Sequence, residues 1–260
     1  MSDLSAKIDE KGQLLMKDTL YNAGNGVPPY DGSPIGGVVF DLDDVLYPRR
    51  QYALGGYRAV DEYLFAAHGV RLYEAMAPHA EDGDGLSGLE RALRQRFAGE
   101  IGAALIRCRH VYWTHAPRLT LYPDAAVALA YLRARRVRLG LVSRNNPCAH
   151  EAKARALGLD NLLDCLLCAG APEYAESIHG SLMLAELALE TPLRRMAYVG
   201  AAETADFASA REAGMIPVRV VRTGAWPTAA AESDPGPALV LPSLAALPGA
   251  LLDYAASRMA

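Results

Sequence analysis

Short, unbroken apolar runs that stop at a polar or glycine residue constrain this chain more than any other feature. Val38-Val39-Phe40 ends at Asp41, Val137 to Val142 ends at Ser143, Met196 to Val199 ends at Gly200, and Ile216 to Val221 and Ala238 to Leu241 follow. Runs this short and this continuous fit strands buried on both faces of a parallel sheet, because a half-solvated strand would alternate apolar and polar residues. Helical stretches lie between them: Pro123 to Arg135, a segment that opens at Pro147 behind Asn146 and stops near Gly158, Ser181 to Glu190, Ala205 to Ala213 closed by Gly214, and Ser243 to Ala255. Proline in a first turn and glycine past a last one are helix punctuation. The alternation predicts an α/β fold, a Rossmann-like parallel sheet built from right-handed βαβ crossovers. Ligands gather at the carboxyl ends of such strands. Here those ends are Asp41, Ser143 and the loop after Gly200.

Residues 50–118 interrupt the alternation. Leu54, Tyr57, Val60 and Leu64 recur at helical spacing, as do Leu86, Leu89, Leu93 and Phe97, with a Gly/Asp-rich connection from Ala80 to Gly88. An inserted helical cap, placed to cover the strand ends as a lid, is expected there. Residues 1–34, rich in glycine and proline toward their end, read as an extension outside the core. The expected organisation is thus an extension over 1–34, a core of 35–49 and 119–260, and a helical cap over 50–118.

Composition narrows the function classes. With 51% hydrophobic and 22% charged residues among 260, the chain can bury a sizeable core. Its 26 Lys and Arg against 30 Asp and Glu leave a formal net charge of −4 and no footprint for a polyanion, so nucleic acid is not an expected partner. No apolar stretch is long enough to cross a bilayer and the first residues lack a signal-peptide pattern, which predicts a cytoplasmic protein with no membrane partner. Four cysteines, Cys108, Cys148, Cys165 and Cys168, are too few and too uneven for a disulfide framework. The Cys165–Cys168 pair lies in an apolar run with no second pair to complete a zinc site, and is expected to fill a strand.

Asp41-Leu42-Asp43-Asp44 places two carboxylates at i and i+2 directly after a buried strand. Such a pair can share a divalent cation, or one member can attack an electrophile while the other moves protons. Aspartate is also common in turns, so the segment alone leaves the alternatives open. The larger pattern is more specific. Val38 through Pro48, a strand ending in Ser143, Tyr198-Val199-Gly200 with Asp206, and Ala213-Gly214-Met215 together resemble the haloacid dehalogenase (HAD) superfamily, over about residues 36–258. Leu46-Tyr47-Pro48, with Tyr112, His115 and Pro117 ahead of Leu121-Tyr122-Pro123, is similar to a phosphatase group that includes pyrimidine 5′-nucleotidase-like proteins.

The resemblance implies that Asp41 is a nucleophile forming an aspartyl-phosphate and that Asp43 is the general acid and base. Ser143 would bind the phosphoryl group, with Arg144 and Asn145 beside it as substrate contacts. It also implies Mg²⁺ held by Asp41, by Asp43 through its backbone carbonyl, and by Asp206, with a small phosphorylated metabolite as substrate. A carboxylate attacking a phosphate ester needs charge neutralised on the equatorial oxygens, which a metal and a lysine supply in this family.

Two positions depart from the family pattern. Where the family places a lysine ahead of Tyr198, this chain has Glu176-Ser177, a reversal of charge, and no lysine follows Lys153. The first acid of the fourth motif is Ala201, while the second, Asp206, is in place. Two readings therefore stand. One is a hydrolase in which Glu203 or Glu176 reaches the metal and Arg144 supplies the missing cation. The other is a catalytically inactive relative kept as a ligand-binding or protein-interaction module. A dehalogenase proper needs no metal, but those enzymes lack the second acid that Asp43 provides here. Asp44 reads as a structural loop acid, His115 as packed, and Tyr52, Tyr57, Tyr63 and Tyr73 as core of the cap.

Overall fold

A computed structural model describes residues 34–82, 85–97, 101–144, 146–169, 178–201, 204–222 and 236–257, together with three two-residue strands at Lys7–Ile8, Leu14–Leu15 and Leu20–Tyr21. Six parallel strands form the sheet: β1 (Gly37–Phe40), β2 (Arg138–Ser143), β3 (Cys165–Cys168), β4 (Met196–Gly200), β5 (Ile216–Val220) and β6 (Leu239–Leu241). Their order is β3-β2-β1-β4-β5-β6, so the first strand lies in the middle and the direction of winding reverses beside it. That reversal point is where an open α/β sheet presents its ligand crevice. Each strand agrees with the apolar run that predicts it to within a residue or two, and Cys165–Cys168 is itself a strand.

Alternation along β1 shows why these runs must be apolar throughout. Val38 and Phe40 face one core with Leu139, Leu141, Ala197 and Val199, whereas Val39 faces a second core with Val142, Tyr198 and Phe207. Helices cover both layers. On the first face lie α5 (Pro123–Ala134), α6 (Pro147–Ala156) and α9 (Leu247–Ser257), and on the second α7 (Ile178–Ala188) and α8 (Thr204–Glu212). Asn146 caps α6 by accepting from the Cys148 amide at 3.1 Å, with Pro147 in the first turn. The last helix begins later than the pattern predicts because Ser243 first caps a short 3₁₀ turn, Leu244–Ala246.

Between β1 and β2 the insert holds α1 (Arg49–His68), α2 (Tyr73–Met76), α3 (Leu86–Arg96) and α4 (Ile101–Thr114). The helix α3 claims Leu86 to Gly88, so the connection there is shorter than the sequence suggests. Gly56 lets α1 and α4 close on each other, since a Cβ at that position would lie 2.4 Å from the buried Tyr112 ring. Tyr57 donates to the Gly85 carbonyl at 2.5 Å and Tyr52 to that of Trp113 at 3.1 Å, which satisfies both phenols inside the insert.

The extension meets the sheet through one of its described strands. Leu20 and Tyr21 pair antiparallel with Leu166 and Cys165, adding an edge to β3, whose outer hydrogen-bonding groups would otherwise be open. Among the described residues no helix is long and apolar enough to cross a membrane.

Candidate active site

The site begins where β1 stops. Asp41 donates its amide to the Val199 carbonyl at 2.9 Å, extending the β1–β4 ladder by one residue and fixing the start of the acidic loop. The loop then turns sharply. Asp44 adopts φ +57°, a left-handed conformation that aspartate tolerates, and its amide donates to the Tyr47 carbonyl at 3.0 Å. The Asp44 carboxylate accepts from the Arg49 amide at 3.0 Å and pairs with Arg49 Nε at 2.8 Å, so it caps the first turn of α1. It is a structural acid.

Asp41 and Asp43 have different surroundings. Asp41 keeps part of its side chain accessible and accepts from the Leu42 amide at 2.7 Å. Burial, together with the charges of Asp206 and Asp43, pushes its pKa up to about 8, against the lowering effect of the Leu42 amide and Arg144. Asp43 receives Lys153 Nζ on both oxygens, at 2.9 and 2.8 Å, and the Tyr47 hydroxyl on one of them. Lys153 is almost fully buried and lies 4.4 Å from the centre of the Tyr52 ring, so one ammonium joins the acidic loop to a helix of the insert.

Ser143, at the end of β2, is buried with its Oγ 2.7 Å from His150 Nδ1. Burial, reinforced by the Lys153 charge, lowers the His150 pKa to about 4, so the ring is neutral at neutral pH. His150 Nε2 is buried with no hydrogen-bond partner among the described residues. An orphaned acceptor costs less than an orphaned N–H, so the favoured tautomer carries its proton on Nδ1 and donates to Ser143. The Ser143 hydroxyl is then left to donate elsewhere.

Asp206, buried in the first turn of α8, accepts from Arg144 Nη2 at 3.0 Å and from the Tyr198 hydroxyl at 3.4 Å. The fold thus gathers Asp41, Asp43, Ser143, Arg144 and Asp206 at one end of the sheet, as the sequence pattern predicts. Asn145, Glu176 and Glu203 lie outside the described residues. His115 packs on Tyr52 with ring centres 4.6 Å apart and donates from Nδ1 to the Tyr112 carbonyl at 2.7 Å. Lys153 and His150 are the residues that sequence reasoning missed. Both fall on the face of α6 that also carries Ala149 and Ala154 inward, and a lysine and a histidine on a helix's buried stripe were the available signal.

These residues do not fit a bound Mg²⁺. Arg144 already holds the Asp206 carboxylate, Lys153 holds that of Asp43, and Ala201 supplies no side-chain oxygen. Among the described residues no group of three His, Cys, Asp or Glu side chains is arranged to hold a metal ion. Hard divalent cations need about six oxygens, and Asp41 with the Asp43 carbonyl is a sparse start.

A carboxylate at the carboxyl end of the central strand, with a hydroxyl closing one neighbouring strand and a second carboxylate in the helix after the other, stands where an α/β sheet presents its ligand crevice. Residues 35–214 match the family of haloacid dehalogenase-like hydrolases, and the chain belongs to that family. Solved structures share the fold. A HAD-superfamily hydrolase of subfamily IA from Geobacter sulfurreducens PCA matches with a TM-score of 0.62 at 18% identity, covering 85% of this chain and 98% of that one. A predicted phosphoglycolate phosphatase from Haemophilus somnus gives 0.60 at 17%, covering 85% and 99%. The 2-haloacid dehalogenase from Pseudomonas syringae pv. Tomato DC3000 gives 0.57 at 21%, covering 87% and 100%. No curated protein sequence matches the chain significantly.

Proposed function

We propose that this HAD-like hydrolase is a phosphomonoesterase acting on a small phosphorylated metabolite through an aspartyl-phosphate on Asp41. The observation that carries the reading is the placement of Asp41: partly accessible at the end of the central strand, beside the strand that ends in Ser143 and Arg144. Attack by a carboxylate oxygen of Asp41 on phosphorus forms one O–P bond and breaks the ester O–P bond, whose electron pair leaves with the alcohol oxygen. That oxygen takes a proton from Asp43, whose carboxylate is then ready to receive one from the attacking water. Water then attacks phosphorus and gives its proton to Asp43, releasing phosphate and restoring Asp41. Ser143 O–H and Arg144 N–H groups are the donors available to the phosphoryl oxygens.

The helical insert acts in this scheme as the cap, with Tyr52 against Lys153 at the seam. Small molecules rather than nucleic acid or membrane are the expected partners, in keeping with the net charge of −4, and the expected location is cytoplasmic.

A second reading is an inactive binding module. Its support is that Arg144 and Lys153 are both engaged by carboxylates and that Asp41 is protonated at neutral pH. Phosphate release from a panel of phosphomonoesters, with wild type and Asp41→Asn side by side, separates the two. Turnover that Asp41→Asn abolishes supports the hydrolase. Wild-type release no greater than that of the variant establishes the binding module.

A further inference from the structure

We infer that the Arg144 guanidinium stands in for a divalent cation between Asp41 and Asp206, so that this site works without metal. The inference rests on the placement of the two carboxylates and survives whichever reaction Asp41 performs.

Asp41 follows β1 and Asp206 lies in the first turn of α8, the helix after β4, which pairs with β1, so both carboxylates come to the same strand ends. Two carboxylates facing one another in a partly desolvated crevice require a positive charge. A divalent ion held by several oxygens is one solution, and here its ligand set is reduced by Ala201. A guanidinium is another. Arg144 follows Ser143 directly, so the sheet that fixes β2 also aims it across β1 at Asp206, which it meets at 3.0 Å.

The choice of arginine matters. The guanidinium has five N–H groups in a rigid plane with two edges, and an Nη2 donor of that plane meets Asp206. A lysine in the same place would deliver one point charge without the second edge. Lys153 plays the corresponding part at Asp43, where its ammonium spans both oxygens. Arg144 at Asp206 and Lys153 at Asp43 thus compensate two carboxylates that the family pattern assigns to metal and proton chemistry.

Thermal unfolding of the full chain, with MgCl₂ against EDTA, tests this with no knowledge of the substrate. Wild type should show no Mg²⁺-dependent rise in Tm. Arg144→Ala, which removes a side chain that is 43% exposed and should leave folding intact, uncovers the two carboxylates and should gain a rise of about 3 °C at tenfold saturation. Arg144→Gln serves as a second variant of similar size, and adding Asp206→Asn to either should erase the gain. A Mg²⁺ response in wild type overturns the inference, as does the absence of a response in both Arg144 variants. Neither result bears on whether Asp41 is a nucleophile, which the phosphate-release panel decides separately.

Discussion

Two titratable groups in the site, the partly accessible Asp41 and the buried His150, pull stability in opposite directions with pH. Asp41 has a folded pKa of about 8 against an ordinary 3.8, so its contribution is full below pH 4 and is lost as the pH rises to about 8. His150 has a folded pKa of about 4 against 6.5, so its contribution is full above pH 6.5 and is lost as the pH falls toward 4. The two oppose each other between those limits. Above pH 6.5 only the Asp41 penalty still grows. Asp41→Asn should therefore be more stable than wild type at pH 8, by on the order of 3–5 kcal/mol before relaxation of the site, and no more stable near pH 4. Urea denaturation at the two pH values reads this directly, and an unchanged difference would contradict the environment assigned to Asp41. The carboxylates were legible in the sequence because they interrupt an apolar run. Lys153 was not, because a motif lysine was sought at a fixed distance before Tyr198, whereas the fold brings one from a helix on the other side of Ser143.

At the level of elements, strands and helices of the core followed from local rules. Continuous apolar runs gave the buried strands, and Asn146-Pro147 and Gly214 marked helix ends where side-chain capping and a φ of +83° are found. The insert was legible only as helical. Its helices also meet at single close contacts that the periodicity of the apolar residues does not reveal. Gly56 against Tyr112 is one of these, a Cβ there falling 2.4 Å from the ring. Gly56→Ala should cost about 1–3 kcal/mol, because the Tyr112 ring is buried and cannot swing away, even though alanine is the better helix former. A chemical denaturation midpoint equal to or above that of wild type would contradict the packing of α1 on α4.

Across the whole molecule, one ion pair ties the acidic loop to the far end of the chain. Asp124, in the first turn of α5, accepts from Arg222 at 2.7 Å, from Ser243 Oγ at 2.7 Å and from the Leu244 amide at 2.8 Å, while Arg222 also donates to the Val45 carbonyl at 2.7 Å. The segment just after β5, the last helical region and the loop carrying Asp41 and Asp43 are thus joined through one half-buried ion pair. Burial works against that charge, but Arg222, Ser243 and the Leu244 amide hold the Asp124 pKa below its usual range. Asp124→Ala leaves Arg222 buried without this partner and should cost about 2–4 kcal/mol while lowering any activity through the loop. Asp124→Asn should recover part of the stability, which separates the lost charge from the lost shape. No spacing in the sequence could reveal this junction, since its members are 98 and 119 residues apart.

The account turns on Asp41 acting as a covalent nucleophile. Rapid quench of wild type with a reactive aryl phosphate, followed by mass spectrometry of the digested chain, is the most direct test. A phosphoryl adduct confined to the peptide bearing Asp41, absent from Asp41→Asn and formed in the presence of EDTA, is the predicted result. Phosphate release without an adduct on that peptide would contradict the account.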